Sequence, residues 1–505
     1  MFKPFSMKPF LVGSTRHNLS DFIRAVRTDI PLVIDPAARK RIQKTRQIVE
    51  NCTEPTYGIN TGLGPLKDVH LSPEEQTLLS HNTLKSHAAG SGAPLPEEVS
   101  KLMLLLRIHA LALGYSGVRV TLIEGLINLY EKKIFGVIYE HGSVGSSGDL
   151  CPLAHIALPL IGEGEVWENG RVVSAKKVLS KKGIRPFRLQ SKEGLSLING
   201  TQMMTAYSLL LIERGERLFQ TADIIAALSL EALRGSRRPF HHFLHDRRPI
   251  PELQETAAIL WDLLEGSEIL HSHAHCGAVQ DAYSLRCIPQ VHGGAKIALN
   301  NLKRIIEKEV HAANDNPLID PDSGEIYSGG NFHGEPLALA LDYLGIALAK
   351  LANISERRTA RLVDSHLSKL PLFLIEKPGV NSGFMIPQYT AAGIVSENKV
   401  LSHPASADSI PTSANQEDIN SMGSVSAKKG MRILENAEQV LGIELMTSLQ
   451  AFDISFIGQK RLKSSKKLEK IRQICRKEIP FLKKDTYLKP VIDQALGLVR
   501  RGLTA

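Results

Sequence analysis

Residues 142–152 read GSVGSSGDLCP and place three glycines at a spacing of three, with small hydroxyl side chains between them. Such a backbone can bend tightly on itself. Within this stretch, the unhindered amide nitrogen of Gly148 can attack the carbonyl carbon of Ser146 and close a five-membered ring. Loss of water from the ring turns the former Ser146 carbonyl carbon into a C=N group, and loss of water from the Ser147 side chain leaves an exocyclic alkene conjugated to that C=N group and to the Ser147 carbonyl. No ordinary side chain is a strong electrophile, so the stretch predicts an enzyme.

The same stretch also has a simpler interpretation, as a loop that leads into a helix. Asp149 is a typical N-cap residue, and Pro152 is typical of a first helical turn. Other glycine motifs do not fit, because no lysine follows the glycines as a phosphate-binding loop requires. No serine here stands in G-x-S-x-G either. The choice between a plain loop and the precursor of an electrophile therefore depends on the rest of the chain.

The composition is typical of a soluble, mainly helical protein. The 505 residues are 43% hydrophobic and 22% charged, and only 5% are aromatic, which favours helices over β-sandwiches. Residues 1–10 lack a secretory signal, and the apolar stretch 337–354 is interrupted by Asp342 and Lys350. We expect that stretch to be a buried bundle helix and not a membrane span. Five scattered cysteines without a C-x-x-C pair indicate reduced thiols in the cytoplasm.

Most of the net charge of +9 comes from one segment near the C-terminus. Residues 460–472 contain seven basic side chains and one acidic side chain, Glu469. A nucleic-acid site would interleave aromatic residues with the basic ones, and this segment has none. We therefore predict a solvated helix face and no nucleic-acid or membrane partner.

The apolar periodicity predicts a mainly α fold, an elongated helical bundle whose N-terminal part carries loops and short strands. Residues 166–173 predict a hairpin with an Asn-Gly turn. Long helices are predicted at about 201–233, 253–264, 292–313, 335–364, 385–400 and 421–448. No linker interrupts the chain, so we expect one large unit over residues 1–505. Its parts are an N-terminal part (about 1–200), a central bundle (about 201–450) and a basic C-terminal segment (about 451–505).

Five polar motifs lie in loops between the apolar helices, where functional residues are often found. They occupy residues 57–62, 86–90, 197–202, 280–286 and 415–418. Each taken alone is also explained by a capped turn, a core histidine or an exposed ion pair. A different hypothesis, a metal site, rests on His271-x-His273-x-His275-Cys276, although a solvated loop explains that run better. A non-catalytic helical scaffold is the remaining alternative.

Taken together, the motifs resemble the ammonia-lyase family that uses a backbone-derived methylidene-imidazolone. The resemblance is closest to its histidine ammonia-lyase branch, extends over nearly the whole chain, and is most specific at residues 142–149, 280–287, 330–335, 355–358 and 381–385. It implies the lyase/fumarase-like helical fold and elimination of ammonia from L-histidine to give trans-urocanate. It also implies a homotetramer with sites shared between subunits.

The resemblance assigns catalytic roles to five residues. Ser146, Ser147 and Gly148 would form 4-methylidene-imidazol-5-one autocatalytically, without a metal or a nucleotide. Tyr57 would be the base that takes the β-proton, which needs a tyrosine pKa lowered by its surroundings. Tyr283 would support proton transfer or the cyclised group. The helix that begins near Pro152 should also direct its positive end toward the cyclised loop.

The substrate-binding roles come from the same resemblance. Arg286 would clamp the substrate carboxylate with its planar fork, and Asn199 would hydrogen-bond the cyclised group or the carboxylate. Gln280 and Phe332 would complete the pocket walls. His87 and Glu417 would address the substrate imidazole, which is the main reason to expect histidine as the substrate.

The sequence departs from the family pattern at three places. Ser146 stands where alanine is usual, although that position contributes only its carbonyl to the ring. Ile419-Asn420 looks like the branch that acts on other aromatic amino acids. Pro387 stands where a small residue is usual and is expected to reshape the helix near Met385. A tyrosine or phenylalanine ammonia-lyase, or an aminomutase of the same superfamily, therefore remains the alternative.

Overall fold

The computed structural model describes residues 8–272, 279–458 and 460–504. The described residues form twenty α-helices, which confirms the predicted mainly α class. In chain order they are α1 (Leu19–Arg27), α2 (Pro36–Glu50), α3 (Pro73–His87), α4 (Glu97–Ala112), α5 (Val120–Glu131), α6 (Leu150–Ala157), α7 (Ala175–Lys181), α8 (Glu193–Ile198), α9 (Gln202–Ala232), α10 (His242–His245), α11 (Pro251–Leu263), α12 (Glu268–His271), α13 (Tyr283–Arg286), α14 (Ile288–Glu309), α15 (Glu335–Val363), α16 (Ser365–Ser368), α17 (Met385–Leu401), α18 (Gly423–Ile454), α19 (Lys466–Cys475) and α20 (Lys489–Arg501).

The strands are short and form four separate pairs. They are β1 (Phe10–Val12), β2 (Leu32–Ile34), β3 (Ser91–Pro94), β4 (Tyr139–His141), β5 (Glu165–Glu168), β6 (Arg171–Ser174), β7 (Leu318–Ile319) and β8 (Ile326–Tyr327). Only the β1–β2 pair is parallel. The predicted hairpin is confirmed as β5–β6, where Asn169 and Gly170 both have positive φ, as a type I′ turn requires.

The chain folds into two compact units, each built from several separate segments. Unit 1 contains the chain up to Leu210 together with Lys303–Leu341 and Pro404–Lys428. Unit 2 contains Leu211–Leu302, Asp342–His403 and the residues from Lys429 onward. The long helices α9, α14, α15 and α18 have residues in both units. The division into three consecutive parts stays a prediction.

The long helices lie close to where the apolar period predicts them. The observed bounds of α9, α11, α15 and α17 differ from the predicted ones by at most two residues at each end. In contrast, α14 starts four residues before the predicted start and ends at Glu309, and α18 extends to Ile454. Pro387 is the third residue of α17, where its missing N–H needs no helical partner, and it is buried.

Helix α15 is long and apolar enough to cross a membrane by length and composition alone. However, 61% of its most apolar window is buried inside the protein. This is the usual environment of a core helix and agrees with the sequence-based expectation. The basic segment 460–472 becomes helical at Lys466, and its lysines are exposed. Arg472 is the exception, because it is buried and pairs with Asp453 and Glu469.

Unit 2 has a buried network of charged residues on four helices. The Asp223 carboxylate of α9 accepts hydrogen bonds from His292 Nδ1 at 2.7 Å and Lys296 Nζ at 2.8 Å, both on α14. Arg358 of α15 binds both carboxylate oxygens of Glu444 on α18, at 2.5 and 2.9 Å. All five side chains are buried, and each charge has an opposite partner. The string at 355–358 therefore contributes to this internal network through Arg358.

Candidate active site

The glycine loop is held against the segment that follows α8. Gly148 pairs with Gly200 in an isolated parallel bridge, and the Asp149 N–H donates to the Gly200 carbonyl oxygen at 2.6 Å. The φ of Gly148 is +72°, and a Cβ atom at this position would overlap the Gly200 carbonyl. Only glycine fits both the backbone angle and the close approach. The third residue of the triplet is therefore determined by packing as well as by ring chemistry.

A second segment, just before and within the start of α18, holds the other side of the loop. Ser421 Oγ donates to the Gly145 carbonyl at 2.9 Å, and the Met422 N–H donates to the Val144 carbonyl at 2.8 Å. Ser424 Oγ donates to the Ser143 carbonyl at 2.6 Å. The loop is therefore not a free turn, because three of its carbonyls have fixed donors.

Asp149 does not cap its own helix, which corrects the N-cap prediction. Its side chain makes no capping hydrogen bond to α6. Instead, Oδ2 accepts from the N–H groups of Met203 and Met204 at 2.8 and 3.1 Å, so Asp149 caps the start of α9. Burial raises the pKa of this carboxyl to about 7. The side chain that looked like a local cap joins the loop to a distant helix.

Asn199 reaches the triplet directly. Its Nδ2 donates to the Ser147 carbonyl oxygen at 2.9 Å. The fully buried Arg107 supports Asn199 from behind, because Nη1 donates to the Asn199 carbonyl at 3.0 Å and to Gln202 Oε1 at 3.1 Å. The other guanidinium nitrogen, Nη2, binds the Ser196 carbonyl. Arg107 thereby fixes the segment on which the glycine loop rests.

One cavity of about 1350 Å³ opens beside the triplet, and all of its lining residues belong to unit 1. Seven of the predicted site residues line it: Tyr57, His87, Ser146, Ser147, Asn199, Phe332 and Glu417. Gly148 is buried and does not line it. Leu150, the first residue of α6, also lines the cavity. The start of α6 therefore lies at the loop, whereas the direction of its axis toward the ring oxygens stays a prediction.

Glu417 is hydrogen-bonded to Ser147, the serine that is predicted to lose water. Ser147 Oγ donates to Glu417 Oε1 at 2.8 Å, and Thr412 Oγ1 donates to Glu417 Oε2 at 2.8 Å. The two carboxylate oxygens thus have different partners, one from the glycine loop and one from the loop that carries Glu417. This geometry joins two motifs that are 270 residues apart.

Tyr57 lies on the cavity wall, but its environment is not the expected one. Burial raises its pKa above 10, and the negative charge of Glu417 adds to the shift. The Gly64 N–H, which donates to the phenol oxygen at 3.3 Å, acts in the opposite direction. The sequence-based expectation of a lowered pKa is wrong for the chain as it stands. A base role for Tyr57 requires a further positive charge in the cavity.

His87 lines the cavity, and a hydrogen bond to one ring nitrogen indicates its tautomer. Its Nδ1 lies 2.8 Å from the Thr83 carbonyl oxygen, which can only accept, so Nδ1 carries the proton. The other ring nitrogen is then an acceptor. Burial lowers the pKa of His87, which favours this neutral form.

Comparison with known proteins gives the family. A family model described as aromatic amino acid lyase matches residues 18–477. The chain belongs to the aromatic amino acid lyase family. A histidine ammonia-lyase of Caldanaerobacter subterraneus subsp. tengcongensis is 45% identical to this lyase, over 98% of the chain and 97% of that relative. The predicted family and the predicted enzyme class, a carbon–nitrogen lyase, are confirmed.

Solved structures agree with this fold. The crystal structure of histidine ammonia-lyase from Trypanosoma cruzi matches with a TM-score of 0.89 at 38% identity, covering 98% of this chain and 94% of that one. Tyrosine aminomutase from Streptomyces globisporus matches with a TM-score of 0.91 at 35% identity, covering 98% and 97%. Both branches considered from the sequence therefore share this lyase's backbone, so the fold does not select the substrate.

Three predicted site residues of the lyase do not line the cavity: Gln280, Tyr283 and Arg286. All three belong to unit 2. Tyr283 is 69% exposed, and the Arg286 guanidinium lies over its ring at 4.4 Å. Arg286 Nε is buried without a hydrogen-bond partner among the described residues. The run predicted as a possible metal site falls largely outside the described residues, since His273, His275 and Cys276 are not among them.

The cavity also contains residues that sequence reasoning did not select. His333 is one of them, although the string 330–335 contains it. Its Nδ1 accepts from the Glu335 N–H at the start of α15, and its Nε2 donates to the Ile419 carbonyl at 3.1 Å. Thr412, the partner of Glu417, lies in no recognisable motif and had no signal in the sequence.

Ile419 and Asn420, the two residues that suggested a different substrate branch, differ in exposure and in position relative to the cavity. Ile419 is exposed and lines the cavity, whereas Asn420 is buried and does not line it. Ser146, the other departure in the lyase's loop, is buried at the cavity wall.

Proposed function

We propose that this chain is a histidine ammonia-lyase that eliminates ammonia from L-histidine to give trans-urocanate. The observation that carries the proposal is the position of Glu417 and His87 on the wall of the cavity beside Ser147, with Glu417 Oε1 2.8 Å from Ser147 Oγ. A carboxylate and a neutral imidazole suit a substrate ring that carries both a donor and an acceptor nitrogen. Relatives named histidine ammonia-lyase at 45–49% identity support the same substrate.

The triplet fits the predicted 4-methylidene-imidazol-5-one. Gly148 has no side chain to obstruct its amide, and the Ser147 carbonyl already has a fixed donor in Asn199. Once formed, the group supplies an electrophilic alkene, which makes the α-amino nitrogen a better leaving group. We propose that it forms autocatalytically from Ser146, Ser147 and Gly148 without a metal or a nucleotide.

The chain's own residues then bind and orient the substrate. Glu417 accepts the imidazole N–H, or balances its positive charge, and His87 offers its unprotonated ring nitrogen. Asn199 holds the carbonyl that flanks the electrophile. Tyr57 Oη removes the β-proton, and the positive charge that this role requires comes with the substrate ammonium and the carboxylate-binding arginine. Phe332 completes the apolar wall of the cavity.

Intact mass and turnover test this proposal together. The wild type should lack the mass of two waters in the peptide that contains residues 146–148, and it should convert histidine to a product that absorbs in the near ultraviolet. In Ser147→Ala, the peptide that contains residues 146–148 should show no mass deficit. The turnover of histidine should fall by at least about 1,000-fold. Ser146→Ala should keep the two-water deficit, because only its carbonyl enters the ring. A wild type of full, uncyclised mass would refute the electrophile, and tyrosine turnover without histidine turnover would refute the substrate.

We further propose that the enzyme is a cytoplasmic homotetramer whose sites combine residues from different subunits, with no nucleic-acid or membrane partner. The supporting observation is that Gln280, Tyr283 and Arg286, which belong to unit 2, do not line the cavity formed by unit 1 of the same chain. Under this proposal, the loop 280–286 of one chain completes the site of another. Free thiols at the four described cysteines agree with a reducing compartment.

Complementation tests the shared site. Ser147→Ala and Arg286→Ala should each be inactive as pure proteins. Co-expressed with distinguishable tags and purified as mixed tetramers, they should recover a measurable fraction of wild-type turnover. Mixed tetramers as inactive as the parent variants would place both residues in the same subunit's site.

A further inference from the structure

The loop that carries Glu417 is closed by a short ladder of hydrogen bonds. The Thr412 N–H donates to the Glu417 carbonyl at 3.0 Å, and the Glu417 N–H donates to the Thr412 carbonyl at 3.4 Å. Between them, Ser413, Ala414 and Asn415 have φ of +52°, +51° and +64°. Three consecutive left-handed residues without a glycine are unfavourable. Such a conformation persists only where the surroundings hold it.

Asn420 supplies part of that support from inside the protein. It is 1% exposed, and its Nδ2 binds the Ile410 carbonyl and donates to Thr412 Oγ1 at 3.4 Å. Its backbone N–H donates to Ser409 Oγ at 2.8 Å. Its Oδ1 has no partner among the described residues. The Asn420 amide therefore uses its donor nitrogen, which contacts Ile410 and Thr412 of the loop.

These contacts form a chain that ends at the carboxylate. Asn420 donates to the Thr412 hydroxyl, the Thr412 hydroxyl donates to Glu417 Oε2, and Glu417 Oε1 accepts from Ser147. A carboxylate bound through one oxygen alone can rotate about its last torsion, which is broad. Occupation of Oε2 by Thr412 limits that rotation and leaves Oε1 directed at the electrophile side of the cavity.

We propose that Thr412 and Asn420 are positioning residues for Glu417, and that they set the orientation with which its carboxylate meets the substrate ring. The inference rests on the proposed function for its catalytic consequence. It also gives a role to Asn420, the residue that departed from the histidine-type pattern. Asn420 acts behind Glu417 and does not touch the substrate.

The sharpest variant is Thr412→Val, which removes the hydroxyl and keeps the shape. We expect kcat/KM for histidine to fall about 10- to 100-fold, as for loss of one hydrogen bond to a charged group. The two-water mass deficit should remain. Thr412→Ser, which restores a hydroxyl, should recover kcat/KM to within about threefold of the wild type. Thr28→Val is the matched control, because Thr28 is exposed and lies outside the cavity.

Two outcomes would overturn the inference. One is a Thr412→Val enzyme with kcat/KM within about threefold of the wild type, and the other is a Thr412→Ser enzyme as impaired as Thr412→Val. A folded protein is confirmed by an unchanged thermal transition. Asn420→Leu should have the same direction of effect as Thr412→Val, and full activity in that variant would remove Asn420 from the chain of contacts.

Amide hydrogen exchange separates this inference from the proposed function. In Thr412→Val and Asn420→Leu, the peptide that spans residues 409–420 should exchange faster than in the wild type, whereas in Thr412→Ser it should not. This readout needs no substrate. A wild type that fails to convert histidine would refute the proposed substrate, while unchanged exchange in Thr412→Val would refute the positioning role.

Discussion

The glycine loop of unit 1 and the charged network of unit 2 both join distant segments through polar contacts, yet only the loop lies beside the cavity described above. In the network, Asp223 accepts from His292 and from the Lys296 ammonium, and Glu444 binds Arg358 through both oxygens. Beside the loop, a cavity of about 1350 Å³ exposes the Ser147 hydroxyl and the Glu417 carboxylate. The loop also contains left-handed backbone at Gly145 and Gly148.

We expect such a difference between a polar cluster that stabilises the fold and a polar cluster that binds a substrate. A network in which every charge has its partner lowers the free energy of the folded chain and offers no free group to a substrate. Polar groups that line a cavity, such as those of Ser147 and Glu417, can be reached by a substrate. Both regions contain strings by which the chain resembles its family, at 142–149 and at 355–358. Resemblance to the family therefore does not by itself distinguish residues 142–149, which are predicted to be catalytic, from residues 355–358, which contribute to a structural network.

The largest expected effect is the loss of ring formation and of histidine turnover when Gly148 is substituted. In Gly148→Ala, the added Cβ overlaps the Gly200 carbonyl, and the left-handed φ is also unfavourable. We expect no two-water deficit and a loss of histidine turnover of at least about 1,000-fold. Intact mass and a coupled absorbance assay measure the two effects. Gly170→Ala is the matched control, because Gly170 also has positive φ but has open space around it.

A cyclised and active Gly148→Ala enzyme would mean that the close approach to Gly200 is not needed. The loop would then be no more constrained than an ordinary turn.

Two fully buried arginines give the next effect. Arg358→Met leaves Glu444 as an uncompensated buried charge, and we expect the free energy of unfolding to fall by about 3–5 kcal/mol. Arg107→Met leaves the Ser196 and Asn199 carbonyls unpaired and should also destabilise the fold. Only Arg107→Met should lower the fraction of folded molecules with the two-water deficit. Denaturant titration and intact mass of the folded fraction distinguish the two variants.

An equal cyclised fraction in both arginine variants would contradict the assignment of Arg107 to the glycine loop. In that case, disturbing the glycine loop and disturbing the charged network would have the same effect on formation of the electrophile.

The smallest effect is a difference in the pH dependence of stability. Burial lowers the pKa of His292 and of His87 below 6.5, so the unfolded chain binds protons that the folded chain does not. The free energy of unfolding should therefore fall as the pH decreases from 6.5 toward the folded-state pKa values. His292→Gln should reduce this fall by an amount of the order of 1 kcal/mol, and His87→Gln by less, because His87 is only half-buried.

Thermal unfolding between pH 7 and pH 5 measures this difference. Asp149 acts in the opposite direction, because burial raises its pKa to about 7. It is present in the wild type and in both variants, so its contribution cancels in the comparison. A steeper acid loss in His292→Gln than in the wild type would reverse the sign assigned to its burial.

The helices and the hairpin were predictable because their signals are local. The apolar period predicts α9 and α15 to within one residue, and Asn169-Gly170 predicts the turn between β5 and β6. Asp149 shows the limit of local reasoning. An aspartate before a helix predicts an N-cap, but this side chain reaches Met203 and Met204 of α9, which no local rule contains.

The sequence predicted which residues form the site better than it predicted the pKa shifts of those residues. The resemblance selects seven residues that line one cavity, because loop motifs are read residue by residue. The direction of the Tyr57 pKa shift was not predictable, since it follows from burial and from Glu417, which is 360 positions away along the chain. Thr412 and Arg107 belong to no motif, and only their contacts show what they do.

Residue identities along the chain were enough to predict that a Ser-Ser-Gly triplet is available for ring closure, that the chain is mainly helical, and which loop residues accompany the triplet. These properties depend on residue identity and on neighbours along the chain. Three contacts are visible only in the folded protein: Gly148 lies against Gly200, Ser147 is hydrogen-bonded to Glu417, and Arg358 pairs with Glu444 in an internal network. Such contacts join distant segments, and their strength depends on burial, which brings partners together and removes the water that would otherwise compete for their hydrogen bonds.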